Sequence, residues 1–208
     1  MHKIIPAPKE ISVQAGTVIL DSAGELEQNV QFLRQADLRP EEYRLEIAED
    51  RISITARDAS GFRHAMATIQ QLRSGPVLPL VKIRDYPRLA VRGFHLMFEA
   101  IQQLGVAEAT ALIHSAARLK LNTLLFEFGP RFPFERHATV RSAAALTGDE
   151  LRRLVELARS YGIECIPLQQ SLGHLEYLLR HEEYAHLREE DEHRAQMCPT
   201  NPDSFRVF

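Results

Sequence analysis

The sequence predicts an α/β protein built on parallel βαβ units, and three observations carry that reading. Strand-length stretches at 91–98 (VRGFHLMF), 122–128 (NTLLFEF) and 163–170 (IECIPLQQ) are rich in Phe, Leu and Ile. Helix-length segments at 106–121 and 148–162 separate them, the second repeating Leu151, Leu154, Val155 and Ala158 at helical spacing. That helix is also punctuated at both ends. Thr147 and Glu150 make a capping box and Gly162 makes a C-cap. Strands alternating with helices of this length predict a parallel sheet, whose ligands gather at the carboxyl ends of the strands. Those ends carry Glu99, Glu127 with Arg131, and Gln169, Gln170 and His174: a polar rim on an apolar sheet.

The segment before this sheet has another character. Residues 3–20 suggest a short strand pair broken by Pro6, Pro8 and Gly16. Leu26, Val30 and Leu33 fall at i, i+4 and i+7 and predict a helix over 24–36. Residues 43–47 and 52–55 alternate apolar and polar around Glu49-Asp50, a β-hairpin with one buried face. Ser60 is then placed to cap a helix whose Phe62, Ala65, Met66, Ile69 and Leu72 form an apolar stripe. Residues 1–85 therefore read as a small α+β domain, a sheet covered by two helices. Asp85-Tyr86-Pro87-Arg88 is the natural boundary, because the residue before proline is held extended.

Residues 86–208 form the second domain. After His174 a polar helix (LEYLLRHEEYAHLREE) is expected, then an acidic run, and Asn201-Pro202 as N-cap and first position of a last helix. A closed eight-stranded βα barrel needs roughly 200–250 residues, and only about 120 follow the boundary. The expectation is a barrel that is incomplete, with apolar sheet edges left to pair.

The bulk numbers exclude several classes. Forty-five per cent of the 208 residues are apolar, enough for one or two cores. A net charge of −3 gives no footprint for nucleic acid or an anionic membrane. Two cysteines exclude a disulfide framework, and Cys165 reads as a small core residue, as do Met66 and Met97. No segment approaches the roughly 20 apolar residues of a membrane span, and the N-terminus lacks the apolar core of a signal peptide. A reducing, cytoplasmic setting is expected. The nine histidines show no ligand spacing, so no metal or cofactor is expected.

The order of these pieces resembles glycoside hydrolase family 20, the β-N-acetylhexosaminidases. The hairpin EEYRLEIAEDRISITA, the helix GFRHAMATIQQL, the link VKIRDYPRLAVRGFHL and the run LARSYGIECIPLQQSLGHLEYLL carry the likeness over roughly residues 40–208. So do Phe132-Pro133-Phe134-Glu135 after the second strand and Gly173-His174 after the third. The resemblance implies a small α+β domain followed by the first three βα units of a TIM-type (β/α)8 barrel. It also implies release of terminal N-acetylglucosamine or N-acetylgalactosamine by a substrate-assisted retaining mechanism. There the acetamido oxygen attacks the anomeric carbon, one carboxylate steadies the oxazolinium, and an adjacent glutamic acid protonates the leaving oxygen.

In the family that Asp-Glu pair follows the fourth strand, so the acid/base is expected downstream of Phe208 and the chain alone is expected to be inactive. Asp149-Glu150 is accounted for by the capping box, and Asp191-Glu192 by a solvated acidic run. The resemblance places His174 beside the catalytic carboxylates and leaves Glu99, Glu127, Arg131, Glu135 and Gln170 as candidate sugar contacts. Two departures stand out. The family's Leu-Asp-x-x-Arg is here Leu96-Met97-Phe98-Glu99-Ala100, and an aspartate usual near Pro130 is absent. A non-catalytic carbohydrate-binding or interaction module derived from the family is the competing reading. Self-association through the exposed strand 163–168 is a further expectation.

Overall fold

The computed structural model describes residues 4–20, 30–99 and 104–207, which form a mixed α/β chain. They fall into two compact units. One comprises Met1–Gly93, Ile113–Asn122 and Tyr161–Ile163; the other comprises Phe94–Leu112, Thr123–Ser160 and Glu164–Phe208. Among the described residues no helix is long and apolar enough to cross a membrane.

The first unit holds β1 (Glu10–Ile19), β2 (Val30–Arg34), β3 (Tyr43–Ile47), β4 (Ile52–Ala56), α1 (Ala59–Leu72) and β5 (Val77–Asp85). The strands make one sheet in the order β1-β5-β3-β4-β2. β3 and β4 are the expected hairpin, in antiparallel register from Tyr43↔Ala56 to Ile47↔Ile52, and Ala48 N–H donates to Arg51 O across the turn at 2.9 Å. Their period of two sends Tyr43, Leu45, Ile47, Ile52, Ile54 and Ala56 to one face, where they are buried with Ala65, Ile69 and Leu72 of α1. Each such aliphatic side chain contributes about 1.5–3 kcal/mol through burial.

Three sequence expectations are corrected in this unit. Residues 10–19 form one strand against β5 rather than a broken pair; the irregularity at Gly16 is absorbed as a register shift between Val13 and Thr17. Val30–Arg34 is a strand rather than part of a helix, running parallel to β4 from Val30↔Ile52 to Arg34↔Ala56. Pairing the otherwise open edge of β4 outweighs a three-residue helical spacing, and it leaves Phe32 and Leu33 exposed. The earlier part of that expected helix, 24–29, lies outside the described residues. Finally, the cap of α1 is Asp58, not Ser60. Its Oδ1 accepts from Gly61 N–H at 2.8 Å while Oδ2 accepts from Glu41 N–H at 2.9 Å.

A polar network is buried beside this core. Lys120 Nζ donates to Asp85 Oδ2 at 2.8 Å and to Tyr43 Oη at 3.0 Å, and Tyr43 Oη lies 2.6 Å from Thr68 Oγ1. Burial pulls Lys120 below the usual lysine range, with the Asp85 carboxylate opposing. It raises the Tyr43 phenol, to which Asp85 adds. His64, 8% exposed, lies 3.6 Å from Glu41.

The second unit contains β6 (Gly93–Met97), α2 (Val106–Arg118), β7 (Thr123–Glu127), α3 (Gly148–Ser160), β8 (Glu164–Leu168) and α4 (Glu176–Leu179), apart from Gly93 and the end of α2. β6, β7 and β8 form one sheet in that order, with β7 and β8 parallel from Thr123↔Glu164 to Glu127↔Leu168. Phe98 N–H donates to Glu127 O at 2.8 Å at the β6–β7 end. Leu96, Phe98, Leu124 and Phe126 are buried on one face, whereas His95 and Met97 are exposed on the other. Met97, expected in the core, is therefore a surface residue, 47% exposed. The capping box is present as anticipated. Thr147 N–H donates to Glu150 Oε2 at 2.8 Å and Glu150 N–H to Thr147 Oγ1 at 3.2 Å. Gly162, at φ +71°, ends the segment.

The polar helix expected after His174 does not form. α4 lasts four residues, a 3-10 helix follows at Glu182–Leu187, and β9 (Arg188–Glu190) pairs antiparallel with β10 (His193–Met197). Leu175, Leu178, Leu179, Tyr184 and Leu187 are buried with Val140 and Met197, so the segment bends around a core of its own. Arg188 secures the bend by donating Nε and Nη2 to Leu179 O at 2.9 and 2.7 Å. Asn201 caps the last turn as expected, although that turn, Pro202–Arg206, is a 3-10 helix.

Acid should destabilise the first unit through His64. Burial lowers its pKa from 6.5 to about 4, with Arg92 and Lys120 adding to that and Glu41 opposing. Between those two values the unfolded chain takes up a proton that the folded chain refuses. Stability is therefore expected to fall as pH drops from 6.5 to 4 and to level off below, a loss on the order of 3 kcal/mol. Urea denaturation across that window, with His64→Gln showing a flatter profile, checks it.

Candidate active site

A cavity of about 390 Å³ opens at the carboxyl ends of β6, β7 and β8. Its lining follows from strand parity: His95 and Met97 from β6, Glu99 just beyond it, Glu127 at the end of β7, and Gln170 after β8. His174, Glu176 and Tyr177 close it from the turn into α4. Behind the sheet, Phe98 stacks on Phe128 at 4.5 Å and meets Phe126 edge-on at 5.7 Å, which stiffens the backing of the two strand ends.

Glu127 is the centre of the polar lining. Its Oε1 accepts from Gln170 Nε2 at 2.9 Å, and His95 Nε2 stands 2.7 Å from its Oε2. The histidine contact is close but is not an aligned hydrogen bond, so buried Oε2 has no hydrogen-bond partner among the described residues. Glu99 is pushed above the ordinary carboxylate range by partial burial. Glu127 and Glu176 add to that push and Arg180 opposes it, while its solvent exposure screens the effect. Tyr177 is raised chiefly by burial, and its Oη accepts from Gln169 Nε2 at 2.7 Å. His174 sits in the left-handed region at φ 55°, where a non-glycine residue is strained.

Glycine is favoured at position 129 for two reasons. Its φ is +51°, and a methyl group there would collide with the Glu99 carboxylate. The backbone can therefore turn away from β7 without filling the cavity.

Four of the six residues singled out from sequence line this cavity: Glu99, Glu127, Gln170 and His174. Arg131 and Glu135 do not. Arg131 is 7% exposed and spends its guanidinium on main-chain carbonyls. Nη1 donates to Phe98 O at 3.0 Å and to Leu104 O, and Nε to Ala144 O at 2.9 Å. Glu135 lines a separate opening with Arg141 and Leu146. Ala100 lies outside the described residues. His95, Glu176 and Tyr177 were missed. His95 shares the period-two face of Glu99 and was legible as such, whereas Glu176 and Tyr177 were hidden by the expected polar helix.

Neither Asp-Glu dipeptide lines the cavity. Asp149 is exposed and paired with Arg152, and Glu150 is the capping residue. Asp191 and Glu192 form the exposed turn between β9 and β10. Among the described residues no group of three or more His, Cys, Asp or Glu is placed to hold a metal ion.

Comparison with known proteins gives this geometry a context. Residues 21–86 match the model of glycosyl hydrolase family 20, domain 2. Over 72 residues the chain is 40% identical to Hexosaminidase D of Bos taurus, covering 34% of this chain and 21% of that protein. The chain is glycoside-hydrolase-family-20-like. Likeness to the β-N-acetylhexosaminidase of Cellulomonas fimi extends it, with 29% identity over 155 residues, 65% of this chain and 31% of that one. The crystal structure of a β-N-acetylhexosaminidase from Bacteroides fragilis superposes with a TM-score of 0.82 at 20% identity. It covers all of this family-20-like chain and 53% of its own length, and at that identity the likeness is one of fold. The chain thus spans about a fifth to a third of these two curated relatives.

Arg131→Met should cost about 3 kcal/mol, because three carbonyls lose a buried donor while side-chain volume is nearly kept. Glu135→Ala should change stability by less than about 0.5 kcal/mol. Denaturant titration followed by far-ultraviolet circular dichroism measures both.

Proposed function

We propose that this chain supplies the sugar-binding part of a family-20-like exo-β-N-acetylhexosaminidase. One observation carries the reading: Glu127, fixed between His95 and Gln170, faces a cavity at the carboxyl ends of parallel strands, shared with Glu99 and His174. The substrate class is a terminal N-acetylglucosamine or N-acetylgalactosamine of a glycoconjugate. Glu127, held by His95 and Gln170, presents its carboxylate as the polar wall of the sugar site, Gln170 donates, and Tyr177 offers an aromatic wall with a hydroxyl at its rim. Arg131 acts one step back, by holding the strand ends. The three-stranded sheet serves as the opening βα units of a TIM-type barrel, a reading supported by the fold likeness over the whole chain.

Hydrolysis then follows the substrate-assisted retaining course, in which the acetamido oxygen is the nucleophile. The acid that protonates the leaving oxygen is assigned outside these 208 residues, because Asp149-Glu150 opens α3 within the capping box and Asp191-Glu192 forms the exposed turn between β9 and β10. A reducing, cytoplasmic setting is part of the proposal, supported by two cysteines that are both free. So is self-association through β8, the sheet's edge strand, where Ile166 is 39% exposed. Light scattering at rising concentration should give a mass above one chain; a monomer throughout would contradict that part.

Calorimetric titration with N-acetylglucosamine should give saturable binding, weakened more than ten-fold by Glu127→Ala and much less by Glu135→Ala. Aryl N-acetyl-β-glucosaminide should not be turned over by the 208-residue chain. Binding that ignores Glu127 would overturn the site assignment, and turnover would overturn the placement of the acid.

A further inference from the structure

A second cavity, of about 250 Å³, lies within the first unit. Its floor is ionic but internally balanced. Lys120 is paired with Asp85 at 2.8 Å, and Arg92 with Glu41. Asp85 and Glu41 thus cancel Lys120 and Arg92, and His64 adds no charge near neutral pH. The walls are apolar: Pro87, Leu89 and Leu119 stand with Pro6 and Ala7, and Leu89 is 65% exposed and Leu119 40%.

The surplus charge is at the mouth. Lys9 and Arg88 both line it and both are exposed. Among the described residues neither makes a hydrogen bond or an ion pair, and Lys9 only rests 5.7 Å above the Tyr86 ring. Two of the three non-glycine residues with positive φ among the described residues, Glu41 at 62° and Lys120 at 60°, belong to this same lining. Such strain persists where the surroundings over-determine it, and it concentrates at ligand sites. Here two strained residues hold a floor of neutralised charge beneath an apolar vestibule.

We propose that this cavity binds a small organic anion. A carboxylate head is held by Lys9 and Arg88 at the mouth, and a compact apolar body, an aromatic ring or branched chain, sits between Pro87, Leu89 and Leu119. Charge sets the head group: a cation would meet two unpaired positive side chains, and a neutral head would leave them unused. Volume sets the body, since the cavity is below the roughly 300–1,000 Å³ of pockets for drug-sized ligands. The inference is independent of the sugar reading, because no residue of this lining belongs to the other cavity.

The probes are phenylacetate and its neutral isostere phenylacetamide, titrated into the full chain and followed by amide NMR. Phenylacetate should give saturable shifts around Leu89 and Leu119, at least ten-fold tighter than the amide and weakening as salt rises. The double variant Lys9→Glu/Arg88→Glu, both changes at exposed positions, should keep the amide spectrum of the core and lose that preference. Leu89→Asp should weaken both probes. Equal binding of acid and amide, a preference that survives the double variant, or no saturable shift around Leu89 and Leu119 would each overturn the proposal.

Discussion

The second unit depends most on a buried guanidinium. Arg131 reaches three main-chain carbonyls, at Phe98, Leu104 and Ala144, and so ties the end of β6, the approach to α2 and the loop before α3 to the exit of β7. Its own main chain joins in, because Arg131 O accepts from Leu146 N–H at 2.9 Å. Arginine suits this position, since its planar fork serves several acceptors at once and its charge compensates the carbonyl dipoles it buries. Where that clamp puts Phe98, it also puts Glu99, one residue on. The cavity is therefore shaped by a residue that does not line it.

The two cavities are built by opposite means. The one at the sheet ends is framed by strand parity: a side chain's face is decided by odd or even position, and Glu127 is then aimed by two neighbours. The other is framed by charges that cancel inside the first unit and by left-handed turns at Glu41 and Lys120. His174, the third such turn among the described residues, borders the first cavity. In both cases strained main chain frames an opening rather than a packed core, which is where strain is tolerated.

Much of this was legible in the sequence where a local rule coincides with a tertiary one. The hairpin at 43–55, the capping box at Thr147 and Glu150, and the strands that carry Glu99 and Glu127 all rest on periodicity or on short-range hydrogen bonds. What escaped rests on distant partners. Val30–Arg34 is a strand because β4 offers an open edge, and Leu175 to Leu187 bends because Val140 and Met197 receive its apolar side chains. Arg131 follows the end of a strand, where the sequence predicts a rim position; only the fold shows three carbonyls around it. His95 alternates with the buried Leu96 along β6, so its face follows from the strand's period of two.

The proposed site seats a terminal N-acetylhexosamine against Glu127. It is tested most directly by carbon-13 labelling of the histidine rings and addition of N-acetylglucosamine to the full chain. The His95 and His174 ring signals should move together and saturate, while His64 and His186 stay in place. Fixed His95 and His174 signals at sugar concentrations that move others would contradict it.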